Sequence, residues 1–137
     1  MDFRIWALLS ALFAGITAVL AKRGVDGVLA NTALAVRVAF VFLFSVGLAV
    51  ASRQALVSNL TKTNWLFLGL SAVATWLSWL CYFRALQGGD VARVAPIDKL
   101  SFVIAMILGV IFLREKVDLK LILGACLIVV GVLVTLK

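Results

Sequence analysis

The chain has 137 residues, 65% of them hydrophobic and 14% charged, with a mean hydropathy of +1.21. A soluble domain is nearer about 45–50% apolar and about 25% charged, so this composition excludes a disordered chain and argues against a water-soluble globule. With no His, one Pro and two Cys, there is no imidazole for a nucleophile–base pair or a His metal site, and no disulfide framework. Neither a metal nor a cofactor is expected.

The apolar residues gather into five runs, at about 3–21, 30–51, 65–86, 91–113 and 119–136, each near the ~20 residues that cross a hydrocarbon layer as a helix. Stretches such as 100–113 and 121–136 lack the polar face that a soluble helix turns to water. The expected fold is all-α and integral to the membrane, with five transmembrane helices in one domain across 1–137. The first run exceeds the about 7–15 apolar residues of a secretory signal and reads as a retained helix. Asn59-Leu60-Thr61 matches a glycosylation sequon but reads as an ordinary loop.

The net charge of +7 comes from basic residues scattered singly near the ends of the runs. They form no patch or arm for nucleic acid. Counted by alternating sides, Arg4, Arg53, Lys62, Arg114, Lys116 and Lys120 fall on one face of the membrane, and Lys22, Arg23, Arg84, Arg93, Lys99 and Lys137 on the other. Arg37 lies inside the second run. Six against six leaves the positive-inside rule without a preferred orientation. A chain that inserts both ways would form an antiparallel homodimer, each copy one half of an inverted repeat.

Helices in lipid associate through small and polar residues. Ala7, Ala11, Ala14, Gly15, Ala18 and Ala21 share one side of the first helix, and Gly124, Gly131 and Thr135 one side of the fifth. Both read as close-packing faces. On the third helix Ser71, Thr75, Ser78, Trp79 and Tyr82 form a stripe suited to a cavity, opposite Leu66, Leu70, Val73, Leu77 and Leu80, which suit lipid. Trp65 fits the membrane interface, whereas Trp79 is too deep for that role alone. Trp79 either walls a cavity for an apolar or cationic solute, or packs in an aromatic core whose neighbouring hydroxyls bond back to their own helix.

Before the fourth run, Gln87-Gly88-Gly89-Asp90 reads as a tight turn, its glycines ending one helix and its Asp capping the next, which makes the third and fourth helices an antiparallel hairpin. Pro96 removes a backbone hydrogen bond and predicts a kink. Asp98, Ser101, Ala105 and Gly109 then share one face. Ionisable groups inside a membrane are costly, so they pair, face a cavity or take part in transport. Arg37 and Asp98 stand out on that ground. They would form a pair that opens when a substrate or proton competes for the carboxylate, or a permanent ion pair, or they reach separately to the headgroups. Lys99, about 100° round the helix from Asp98, need not pair with it. Arg84 and Arg93 read as snorkelling residues. Cys81 and Cys126, without CxxC spacing, read as small core residues.

Tyr82-Phe83-Arg84-Ala85-Leu86, Ala92-Arg93-Val94-Ala95-Pro96-Ile97, Leu113-Arg114-Glu115-Lys116 and Gly124-Ala125-Cys126-Leu127-Ile128-Val129-Val130-Gly131 together resemble an EamA-like domain of the drug/metabolite transporter superfamily. Ala95-Pro96-Ile97-Asp98-Lys99-Leu100-Ser101 looks closest to its short, single-domain bacterial and archaeal branch. Many relatives carry two five-helix domains in inverted orientation, so one domain implies a dimer. Glu115 stands at the position of a family Glu beyond the fourth helix and reads as an interfacial structural residue. The related four-helix small multidrug exporters carry a carboxylate inside the first helix. None occurs in 3–21, which argues against their mechanism.

Residues and resemblance together predict a half-size secondary transporter of the cell inner membrane, moving a small metabolite or drug-like solute by alternating access as a dimer. The expected substrate pathway is Arg37, Thr75, Ser78, Trp79, Tyr82, Asp98 and Ser101, with Pro96 as the kink and Ala11, Gly15, Gly109, Gly124 and Gly131 as packing residues. The alternative is a non-transporting membrane subunit that assembles with a partner membrane protein. No enzyme is expected, because no Ser–His, metal-ligand or paired-carboxylate constellation occurs. No phosphate loop of an ATP motor occurs either.

Overall fold

The structure, a computed structural model, describes residues 2–53 and 60–136. Asn59 of the sequon and Lys137 of the charge balance lie outside the described residues. The described residues form α1 Phe3–Gly24, α2 Ala30–Ala51, α3 Lys62–Gly88, α4 Val91–Asp98, α5 Leu100–Leu113 and α6 Leu119–Thr135, and no strand. Four stretches are long and apolar enough to cross a membrane, Val91–Leu113 counting as one, and α6 is a shorter apolar helix. In lipid a helix satisfies its backbone hydrogen bonds internally. The chain is an all-α integral membrane protein.

Two helices outrun their apolar cores. α1 continues through Lys22, Arg23 and Gly24, where cations complement the negative end of the helix. α3 starts at Lys62, and the Asn64 N–H donates to Thr61 Oγ1 at 3.2 Å, a cap that needs water-side residues. Hydropathy marks only the lipid-compatible middle of such helices.

The chain divides into two compact units, one of residues up to Leu20 and from Gly89 onward, the other from Ala21 to Gly88. In the second, α2 packs against α3. The pair is antiparallel, since Gln87 Nε2 donates to the Val28 carbonyl at 2.6 Å while Arg37 meets Trp79 further along. Gly27, at φ 69°, supplies the left-handed residue of the turn that precedes α2. Lys22 Nζ donates to the Leu86 carbonyl at 2.6 Å, one of the last α3 carbonyls and without a helical partner. Val25, Ala30, Leu34, Phe83 and Leu86 are the buried apolar residues of this unit.

In the other unit α4, α5 and α6 pack on one another, and Ala18, Gly109, Ala125 and Val132 are buried. Asp90 sits at the N-cap of α4, but its side chain makes no capping bond. Its carbonyl instead receives the Arg93 and Val94 N–H groups at 3.0 and 2.9 Å. Asp118 does cap α6, its Oδ1 accepting the Leu121 N–H at 2.8 Å. Pro96 lies inside α4, and the helix breaks at Lys99, whose N–H reaches the Pro96 carbonyl at 3.0 Å. The missing proline N–H weakens the preceding turn, and a three-residue step replaces the regular ladder before α5 begins. α5 ends at Arg114, a non-glycine at φ 54°. The Gly109 carbonyl there receives the N–H groups of both Arg114 and Glu115.

Candidate functional site

Arg37 lies about a third of the way along α2 and is half-buried. Its guanidinium Cζ stands 4.4 Å from the centroid of the Trp79 ring and 5.5 Å from that of Phe83. Tyr82 lies within electrostatic reach of the same cation. Trp79 and Phe83 are four residues apart on α3, so they share one face, and the antiparallel pairing sets that face against α2. A cation over an aromatic face is worth roughly 0.5–1 kcal/mol when exposed and about 2 when desolvated.

Beside this cluster an open groove of about 390 Å³ is lined by Val38, Leu68, Ser71, Ala72, Thr75, Trp76 and Trp79. Thr75 Oγ1 donates to the Ser71 carbonyl at 2.9 Å, so the hydroxyl turns its proton to its own helix and offers the groove an acceptor. A second hollow, about 640 Å³, runs along Asn31, Leu34, Ala35, Val38, Ala39, Trp76 and Leu80. Among the residues expected at a pathway, the structure thus gathers Arg37, Thr75, Trp79 and Tyr82 on one helix pair. Ser78 is exposed and lines neither hollow. Asp98, half-buried, and Ser101, exposed, belong to the other unit.

Several expectations change. Arg37 lies over the Trp79 ring, so the chain's own cation occupies that face. Leu80 lines the hollow beside α2 instead of joining the lipid side, because it lies only about 40° round the helix from Trp76. Leu66, Leu70, Val73 and Leu77 are exposed. Lys99 Nζ lies 3.8 Å from Asp98 Oδ2. Lys99 keeps right-handed helical angles as the C-cap of α4, and the two partly exposed side chains come within this distance without sharing a helix face. Cys81 and Cys126 are exposed and not in a core, since helices that face lipid leave small apolar residues on their surface.

The packing residues divide as well. A Cβ at Gly15, Gly124 or Gly131 would meet nothing within 4 Å, and Ala11 is exposed. Within the described residues none of them is a point of close approach. At Gly109 an added Cβ would fall 2.8 Å from Glu115 Oε2, so the carboxylate beyond α5 folds back to where no side chain stands. Phe83, the second ring on Arg37, was legible only as the residue four after Trp79.

The profile of the EamA-like transporter family matches residues 4–137. The chain is also similar to a Sinorhizobium sp. protein described as "Uncharacterized transporter in cobO 3'region", 46% identical over 133 residues, which is 96% of this chain and 94% of that protein. No solved structure matches it.

Proposed function

Because this chain belongs to the EamA-like transporter family, we propose that it is a half-size secondary transporter, moving a small metabolite or drug-like solute by alternating access as an antiparallel homodimer in the bacterial inner membrane. The observation that carries this reading is the Arg37–Trp79 cluster beside the open groove of α2 and α3. A membrane helix bears the cost of a charge where that charge serves a ligand or a coupling ion. Arg37, Thr75, Ser78, Trp79 and Tyr82 are the proposed pathway residues of this unit. Asp98 and Ser101, by the α4–α5 break, are those of the other unit, a discontinuity of the kind that marks transport sites.

The dimer is supported by two features. The cations divide six and six between the sides, which removes the bias toward one orientation. The small-residue positions Ala11, Gly15 and Gly131 are exposed, leaving room for a second backbone to approach.

The test pairs a reporter active only in the cytoplasm with one active only outside, each fused behind Lys137 at matched expression. Comparable activity from both is expected, and one-sided activity rejects the antiparallel homodimer. In proteoliposomes, Arg37→Ala and Asp98→Asn are expected to abolish solute movement at normal membrane abundance. Unchanged movement rejects the pathway assignment.

A further inference from the structure

Arg37 is a cation inside a membrane-spanning helix, and the side chains it meets on α3 are aromatic. Within its own unit the acidic residue is Asp26, which sits with Lys22 and Gln87 at the turn after α1. Trp79 and Phe83 engage its charge through their faces. A ring face neutralises no charge and uses none of the five N–H donors, which lie in the guanidinium plane. That plane matches the two oxygens of a carboxylate or phosphate. A charge in lipid is costly, and an anion on that unused edge offsets the cost.

The groove next to the cation describes the rest of that anion. Trp79 belongs both to the Arg37 cluster and to the groove wall. Val38, Leu68, Ala72 and Trp76 make that wall mostly apolar, and the Thr75 hydroxyl, its proton given to Ser71, presents an acceptor. The groove's 390 Å³ lies at the small end of ligand sites, which run about 300–1,000 Å³.

We propose that the α2–α3 groove takes a small organic anion, its carboxylate on the free edge of Arg37, its apolar body against Trp76 and Trp79, and a donor group on the Thr75 hydroxyl. This rests on the transporter reading and narrows it to a substrate class. A cationic solute is excluded by the charge already there. A lipid phosphate shares the anionic chemistry, and the test separates it from a solute.

The probes are 4-hydroxyphenylacetate, 4-hydroxyphenylacetamide and tyramine, three molecules with one body and charges of minus one, zero and plus one. The full chain is placed in phosphatidylcholine nanodiscs with and without phosphatidylglycerol, and binding is measured by equilibrium dialysis. The anion is expected to bind about tenfold tighter than the amide, with tyramine weakest. Arg37→Gln removes the preference, and Arg37→Lys, which keeps the charge without the planar fork, retains part of it. The wild-type ranking alone tests the proposal if the variants fail to fold. Equal binding of anion and amide, or a preference that survives Arg37→Gln, overturns the proposal while leaving the transporter reading in place. A preference abolished by phosphatidylglycerol, with that lipid retained by wild type and lost in Arg37→Gln, assigns the cation to a lipid and overturns the solute. If none of the three binds the wild-type chain, the anion proposal falls, and the transporter reading is decided by the reporter and proteoliposome tests of the preceding subsection.

Discussion

A guanidinium within a membrane span needs a substitute for water, and Arg37 finds it in the faces of Trp79 and Phe83. The nearer ring should dominate, since cation–π attraction falls off with distance. A double-mutant cycle of Arg37→Gln with Trp79→Leu, followed by unfolding in detergent, is expected to give a coupling of about 1 kcal/mol. A coupling indistinguishable from zero means the two merely lie close. Gly109 offers a second check at this scale. Its added Cβ would meet only the far end of the exposed Glu115 side chain, which can swing aside. Gly109→Ala is therefore expected to be neutral or to stabilise by up to about 1 kcal/mol, through the helix preference of Ala over Gly. A lower melting temperature would show that Glu115 is held at Gly109. The sequence singled out Arg37 and Trp79 separately, one as a charge in an apolar run and the other as an aromatic set too deep for the interface. It contained no sign that they meet, because that contact depends on the register of α2 against α3.

Helix limits follow from caps and breakers more than from hydropathy. Asp90 and Asp118 look alike in the sequence, each an Asp before an apolar helix, yet only Asp118 accepts an N–H through its side chain. Asp118→Ala is expected to cost about 1 kcal/mol, whereas Asp90→Ala should stay within about 0.5 kcal/mol, as for a surface position without a special contact. Thermal unfolding of the two variants side by side decides it, and equal losses would mean that Asp90 also caps. Pro96 was legible as a disturbance of the fourth run. The place where the helix actually parts, at Lys99, was not. The proline removes one hydrogen bond, and the geometry of the following turn decides which residue loses the helical path.

For the whole molecule the balance of cations is the quantity to move. On the proposed alternation of sides, Arg114→Gln together with Lys116→Gln lowers one side from six basic residues to four, against six on the other. The positive-inside rule then places the side of Lys22, Arg23, Arg84, Arg93 and Lys99 in the cytoplasm. Fused behind Lys137, the cytoplasmic reporter should rise and the external one should fall severalfold. No change in their ratio would show that orientation is set by something other than these charges.

Composition and run length alone determined that this protein is all-α and lives in a membrane, because the cost of leaving charge and backbone polar groups in lipid is local and additive along the chain. The motifs of 82–131 carried the family in the same way. The tertiary structure decided which side chains share a site. It set Arg37 on Trp79 and Phe83, turned Leu80 to the α2 side, brought Lys22 to the Leu86 carbonyl, and left Gly15, Gly124 and Gly131 with open space where packing was expected. Such contacts join residues far apart in sequence through the register of one helix on another, and helical periodicity fixes a face without fixing what it meets.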